Sequence, residues 1–110
     1  MMTVARTTLV AVSLALLPGI ALGADSAAGL AKAKEICQAC HGLDGNSPTP
    51  DYPKLAGQYP DYLAKALRDY KSGARKNAIM AGMAGALTAN DIDNVAAYYA
   101  AQPAVLSRKY

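Results

Sequence analysis

The chain has 110 residues, a formal net charge of +3, two cysteines, a single histidine, and neither Phe nor Trp. That length bounds it to one domain. Its lysines (Lys32, Lys34, Lys54, Lys65, Lys71 and Lys76 among them) are scattered rather than clustered, so no basic run of the kind that binds nucleic acid is present.

Residues 1–23 read as a secretory signal peptide. Arg6 supplies the positive n-region, Leu9 to Leu17 the apolar run, and Pro18-Gly19 the break. Ala21-Leu22-Gly23 offers small residues at the positions a signal peptidase reads, which sets cleavage between Gly23 and Ala24. The apolar run is too short to span a bilayer comfortably, so no membrane span is expected after cleavage. Residues 24–110 then form the domain, exported to the periplasm. That mature chain is near the size where a polypeptide core alone is marginal, and it is rich in alanine. A buried prosthetic group would supply the missing core, and the chain without it should fold poorly.

Asp25 or Ser26 can cap a helix beginning near Ala27, and this helix ends in Cys37-Gln38-Ala39-Cys40-His41. The pentapeptide is C-x-x-C-H, the attachment sequence for c-type haem. Thiols at i and i+3 share a helix face, so both can reach the vinyl groups of one porphyrin, and His41 can turn its imidazole to the iron. A thioredoxin-like reading of Cys37 and Cys40 lacks its βαβ context. Structural zinc needs four ligands and would be short of one. A Cys37–Cys40 disulfide is geometrically possible but leaves His41 without a role.

Gly42 to Pro50 is a loop by composition; Asp44-x-Asn46 hints at a calcium loop, but the rest of that pattern fails, leaving a turn. Pro60 suits the first position of a second helix and Asp61 its positive end. Tyr62, Leu63, Ala66, Leu67 and Tyr70 give that helix one apolar face, and Gly73 stops it. Ala74 to Ala86 reads mostly as loop with one helical turn at most. Thr88 and Asp91 form a capping box for the last helix, whose apolar side is Ile92, Val95, Ala96 and Tyr99, with Tyr98 at the margin. Pro103 ends it, and the tail from Ala104 should fray. The class is all-α, three main helices wrapped around one covalently bound haem.

With no second histidine, the sixth iron ligand falls to a methionine. Met80 and Met83 are the two in the mature chain, and spacing does not separate them; the other is left as core filler. A thioether favours ferrous iron and raises the potential. If neither ligated, the iron would be five-coordinate, as in a gas-binding or peroxidase-like site.

These residues resemble a class I cytochrome c, like the small bacterial periplasmic monohaem cytochromes and one half of the two-haem proteins. The likeness rests on Cys37 to Gly42, Asp44-Gly45-Asn46-Ser47-Pro48, Tyr52-Pro53-Lys54-Leu55-Ala56-Gly57-Gln58, and the run from Met80 through Leu87-Thr88 to Tyr99. The resemblance implies the cytochrome c fold. It implies that Pro53 offers its carbonyl to the other nitrogen of the proximal ligand His41, and that Leu55 packs on the porphyrin. It further implies that Gly29 marks a close helix crossing against Tyr98 or Val95. The family pattern favours Met80 over Met83 as ligand. An aromatic or Arg commonly lies near the propionates, and Tyr59, Gln58 and Arg75 are the candidates. The expected function is one-electron transfer between transiently docked redox protein partners by a monomer that is not an enzyme. The alternative is the haem-carrying subunit of a periplasmic dehydrogenase or oxidase complex.

Overall fold

The computed structural model describes Met2, Val4, Ala5 and residues 7–15 and 23–106. Part of the signal-peptide reading (Arg6, Leu16, Leu17, Pro18, Gly19, Ala21 and Leu22) lies outside these residues. Among the described residues the fold is helical and contains no strand.

The first main helical element runs over residues 26–41 in three joined pieces. These are α1 (Ser26–Lys32), a π turn (Ala33–Cys37) and α2 (Gln38–His41). Asp25 caps it, its carboxylate accepting from the amides of Ala27 and Ala28, so the true cap is the first of the two candidates. Next come α3 (Pro60–Ser72), α4 (Ala78–Gly85) and α5 (Ala89–Ala100). Pro60 starts α3, where its missing N–H costs nothing, and Gly73 closes it at φ 86°. In the box that opens α5, Thr88 Oγ1 accepts from Asp91 N at 3.1 Å and Asp91 Oδ2 from Thr88 N at 3.0 Å.

Helix α4 departs from the loop expected over residues 74–86. Its two glycines and mixed apolar face weaken any periodic signal, but Asn77 supplies a cap, its Oδ1 accepting from Met80 N at 3.0 Å. The tail differs too: Asn46 accepts from Val105 N and donates to Pro103 O, while Lys54 donates to Val105 O. Residues 103–105 are thus tied to the loop after the pentapeptide and to the loop carrying Pro53 rather than frayed; residues 107–110 of the expected frayed tail, Ala104 to Tyr110, lie outside the described residues.

The core forms where α1 crosses α5 and α3 packs beside it. Leu63, Leu87, Ile92, Val95, Ala96, Tyr98 and Tyr99 are buried, with Leu30, Ile36, Leu43, Leu55 and Leu67 packed around them. Gly29 permits the crossing. A Cβ there would lie 2.0 Å from Asn94 O and 2.9 Å from Tyr98 Cβ, so the counterpart is Asn94 with Tyr98; Val95 is not among the nearest contacts. Tyr98, expected at the margin, is buried, because its hydroxyl finds a carbonyl acceptor inside the fold.

Candidate functional site: an apolar cavity around the pentapeptide

Between the pentapeptide helix, the 51–58 loop, α3 and α4 lies a cavity of about 540 Å³, within the range typical of small-molecule and cofactor sites. Cys37, Cys40, His41, Pro53 and Leu55 line it from one side; Leu63, Leu67, Tyr70, Met80 and Met83 contribute from α3 and α4. The walls are mostly apolar, and Leu87, Val95, Ala96 and Tyr99 reach it from the core.

His41 is the one buried polar or charged residue among those described, 7% exposed. Its Nδ1 lies 2.8 Å from Pro53 O. A carbonyl can only accept, so Nδ1 carries the proton, and Nε2 is the nitrogen left to ligate. Tyr52 sets its ring edgewise to the imidazole, centroids 6.4 Å apart. The Pro53 carbonyl is itself held in place. Gly45 O accepts from both Leu55 N and Ala56 N, at 2.7 and 3.0 Å, stitching the loop after His41 to the loop carrying Pro53. Gly45 must be glycine: its φ is +75°, and a Cβ would sit 2.7 Å from the Tyr99 ring and 2.8 Å from Ala56 N.

Two contacts from α5 complete the frame. Tyr98 donates its hydroxyl to Leu43 O at 2.6 Å, and Tyr99 to Gly42 O at 3.0 Å. The turn that follows His41 is therefore clamped by the last helix. Burial pushes both phenols above their ordinary pKa, with the Asp44 carboxylate adding to the effect, so they stay neutral donors. Spacing had placed Tyr99 on the apolar side; nothing in it pointed to the hydroxyl's role.

The π turn is also invisible in the sequence. Gln38 N donates to Ala33 O, a wide i to i−5 bond, and the Gln38 side chain donates to Lys34 O at 2.9 Å. Such turns are frequent at functional sites; this one runs into the pentapeptide at Cys37 and joins it to α1. Both thiols are free and partly buried. Burial drives Cys37 up to about 11, so without a bound group it is a neutral thiol at pH 7. No cluster of three or more His, Cys, Asp or Glu suited to a bare metal ion occurs among the described residues, and Asp44 with Asn46 forms a simple turn.

Of the residues expected at the site, Cys37, Cys40, His41, Pro53, Leu55, Met80 and Met83 share this one cavity. Among the propionate candidates, Gln58 and Arg75 line it. Tyr59 does not and is 79% exposed; standing just before Pro60, it faces solvent at the α3 start. Arg75 lies over the Tyr70 ring, 4.9 Å from its centroid, and approaches Tyr62 Oη at 3.5 Å.

This donor set fits a covalently attached porphyrin. It offers two thiols on one helical element, an imidazole with its far nitrogen already engaged, and two thioethers on another part of the wall. Residues 26–101 match the family model for cytochrome c. Over 87 residues the chain is 51% identical to cytochrome c4 of Pseudomonas aeruginosa, covering 78% of this chain and 43% of that protein. It is 44% identical over 81 residues to cytochrome c-554(548) of Halomonas halodenitrificans, covering 71% of this chain and 96% of that one. The crystal structure of reduced recombinant cytochrome c4 from Pseudomonas stutzeri superposes with a TM-score of 0.71 at 42% identity, covering 76% of this chain and 48% of that structure. The chain thus spans under half the length of both cytochrome c4 proteins. It belongs to the cytochrome c family, and its cofactor is a covalently bound haem c.

Proposed function

We propose that this chain is a periplasmic one-electron carrier and not an enzyme, exported with cleavage between Gly23 and Ala24. The observation that carries the reading is the single apolar cavity shared by the two thiols, the braced imidazole and the two thioethers. Bound haem supplies the chemistry, a reversible ferric–ferrous couple.

The protein's part is to hold the geometry still. Cys37 and Cys40 would tether the ring edge through thioether bonds. His41 would ligate through Nε2, its plane and tautomer fixed by the Pro53 carbonyl and its loop by Tyr98 and Tyr99. Met80 would supply the second ligand: it is half-buried, whereas Met83 is 41% exposed. A neutral thioether favours the reduced state and sets a high potential, and Leu55, Leu63 and Leu67 exclude water. The one histidine is fully used, which leaves no imidazole for acid–base work. Tyr52, Tyr62, Ile79 and Met83 line the cavity and remain partly exposed, forming a small patch suited to transient docking of redox partners. Among the described residues no helix is long and apolar enough to cross a membrane.

A second reading has its own support: work as the haem-carrying subunit of a dehydrogenase complex. The thiosulfate dehydrogenase electron acceptor of Thiomonas intermedia is 48% identical over 64 residues, and the cytochrome subunit of sulfide dehydrogenase of Chlorobaculum tepidum 38% over 63. Gel filtration of native periplasmic extract separates the two: a carrier elutes as a free monomer, a subunit with its complex. Carbon monoxide added to the reduced protein tests the saturated iron. Slow, weak binding at neutral pH is expected, and rapid, tight binding would defeat the carrier reading.

A further inference from the structure

Helix α4 carries both thioethers, and its two ends are held very differently. At the C-terminal end Ala84 and Leu87 are buried, and Lys71 donates Nζ to Leu87 O. At the N-terminal end Asn77, Ala78 and Ile79 are all exposed; Met80 is the first residue with any cover. The only side-chain bond on this first turn is the cap, Asn77 Oδ1 accepting from Met80 N. The helix has eight residues, two of them glycines, and a Cβ at either Gly82 or Gly85 would meet nothing within 4 Å. A helix this short has little stability of its own, and glycine lowers it further. Fraying therefore begins at the turn that bears Met80. Met83, three residues on, lies on the same side of the helix, nearer the buried anchor, and lines the same cavity.

We propose that Met83 is a reserve axial ligand, taking the iron when the Asn77-capped first turn of α4 opens and releases Met80. This rests on the haem reading above, with Met80 as the resting ligand. The exchange swaps one neutral thioether for another, so charge and oxidation state are unchanged. Its effect would be to keep the iron six-coordinate through fluctuations instead of opening it to small molecules.

The test uses holoprotein carrying Met80→Ala, Met83→Ala and both changes together. Its readouts are the sulfur-to-iron charge-transfer band of the ferric form and carbon monoxide binding to the ferrous form. The proposal expects the band to survive in each single variant and to vanish only in the double one, which should then bind carbon monoxide rapidly. Loss of the band in Met80→Ala with retention in Met83→Ala overturns the reserve role and leaves the Met80 assignment standing. Loss in Met83→Ala with retention in Met80→Ala overturns both, since Met83 would be the resting ligand. Survival in the double variant removes methionine ligation altogether. If Met80→Ala fails to hold haem, Asn77→Ala decides instead. Two ring-shifted methionine methyl resonances in its ferrous form, one lost on adding Met83→Ala, support the exchange; a single resonance unaffected by Met83→Ala overturns it. Asn77→Asp, which restores a cap, should return the spectrum to a single methyl.

Discussion

Replacing Gly29 by Ala should destabilise the holoprotein although it improves local helix propensity. An added Cβ would lie 2.0 Å from Asn94 O, 2.6 Å from Asn94 C and 2.9 Å from Tyr98 Cβ, where ordinary contact begins at 3.4 Å. The two nearest atoms are α5 backbone and cannot rotate aside, so α1 and α5 must part by roughly 1 Å in a close-packed crossing. Propensity returns about 1 kcal/mol for Gly to Ala within a helix. Overpacking costs about 1–3 kcal/mol and more where backbone must move. Backbone is the obstacle here, so the upper end applies, and a net loss of about 2 kcal/mol follows. For a domain of this size each kcal/mol shifts Tm by about 4–8 °C, giving a fall of about 8–16 °C. Moving α5 also carries Tyr98 and Tyr99 away from the turn after His41, so the haem absorbance should change in the same transition. Thermal unfolding followed by circular dichroism and by haem absorbance measures both. A Tm for Gly29→Ala equal to or above the parent's would refute the reasoning.

Tyr99→Phe removes the hydroxyl donated to Gly42 O, which keeps the Gly45 amide as a partner, so the cost is that of one lost hydrogen bond, about 0.5–1.5 kcal/mol; chemical denaturation of the holoprotein should show it as a lower midpoint with an unchanged slope. Thr88→Ala breaks the capping box of α5 and should lower stability by about 1 kcal/mol, with Thr88→Ser restoring most of it. The raised phenols of Tyr98 and Tyr99 set the alkaline limit. In the unfolded chain they ionise near pH 10 and in the fold only above it, so their contribution is intact below that pH and falls as pH rises beyond it. A pH series of denaturant midpoints should decline above pH 10, and less steeply in Tyr99→Phe.

Where a single residue identity carries the chemistry, the sequence was readable. Cys37, Cys40 and His41 have one sensible joint use, and Pro60, Gly73 and the Thr88/Asp91 pair mark helix ends because each satisfies a local backbone need. What stayed hidden depends on contacts far apart in the chain. The hydroxyls of Tyr98 and Tyr99 look like spare polarity on an apolar face until the fold brings Leu43 and Gly42 beneath them. Helix α4 was obscured because glycine and methionine dilute periodicity, although Asn77 three residues before Met80 was a legible cap. The π turn leaves no pattern in residues 33–37. Tyr59 was a propionate candidate because the family commonly sets an aromatic there, yet at the turn into α3 it is 79% exposed while Gln58 lines the cavity.

The covalent bond between this chain and its haem is open to direct measurement. The exported protein, purified and extracted with acidic acetone, should keep its colour and give the mass of the polypeptide from Ala24 onward plus one haem, a gain abolished by Cys37→Ala together with Cys40→Ala. A colourless chain at the bare polypeptide mass after correct export would contradict the account.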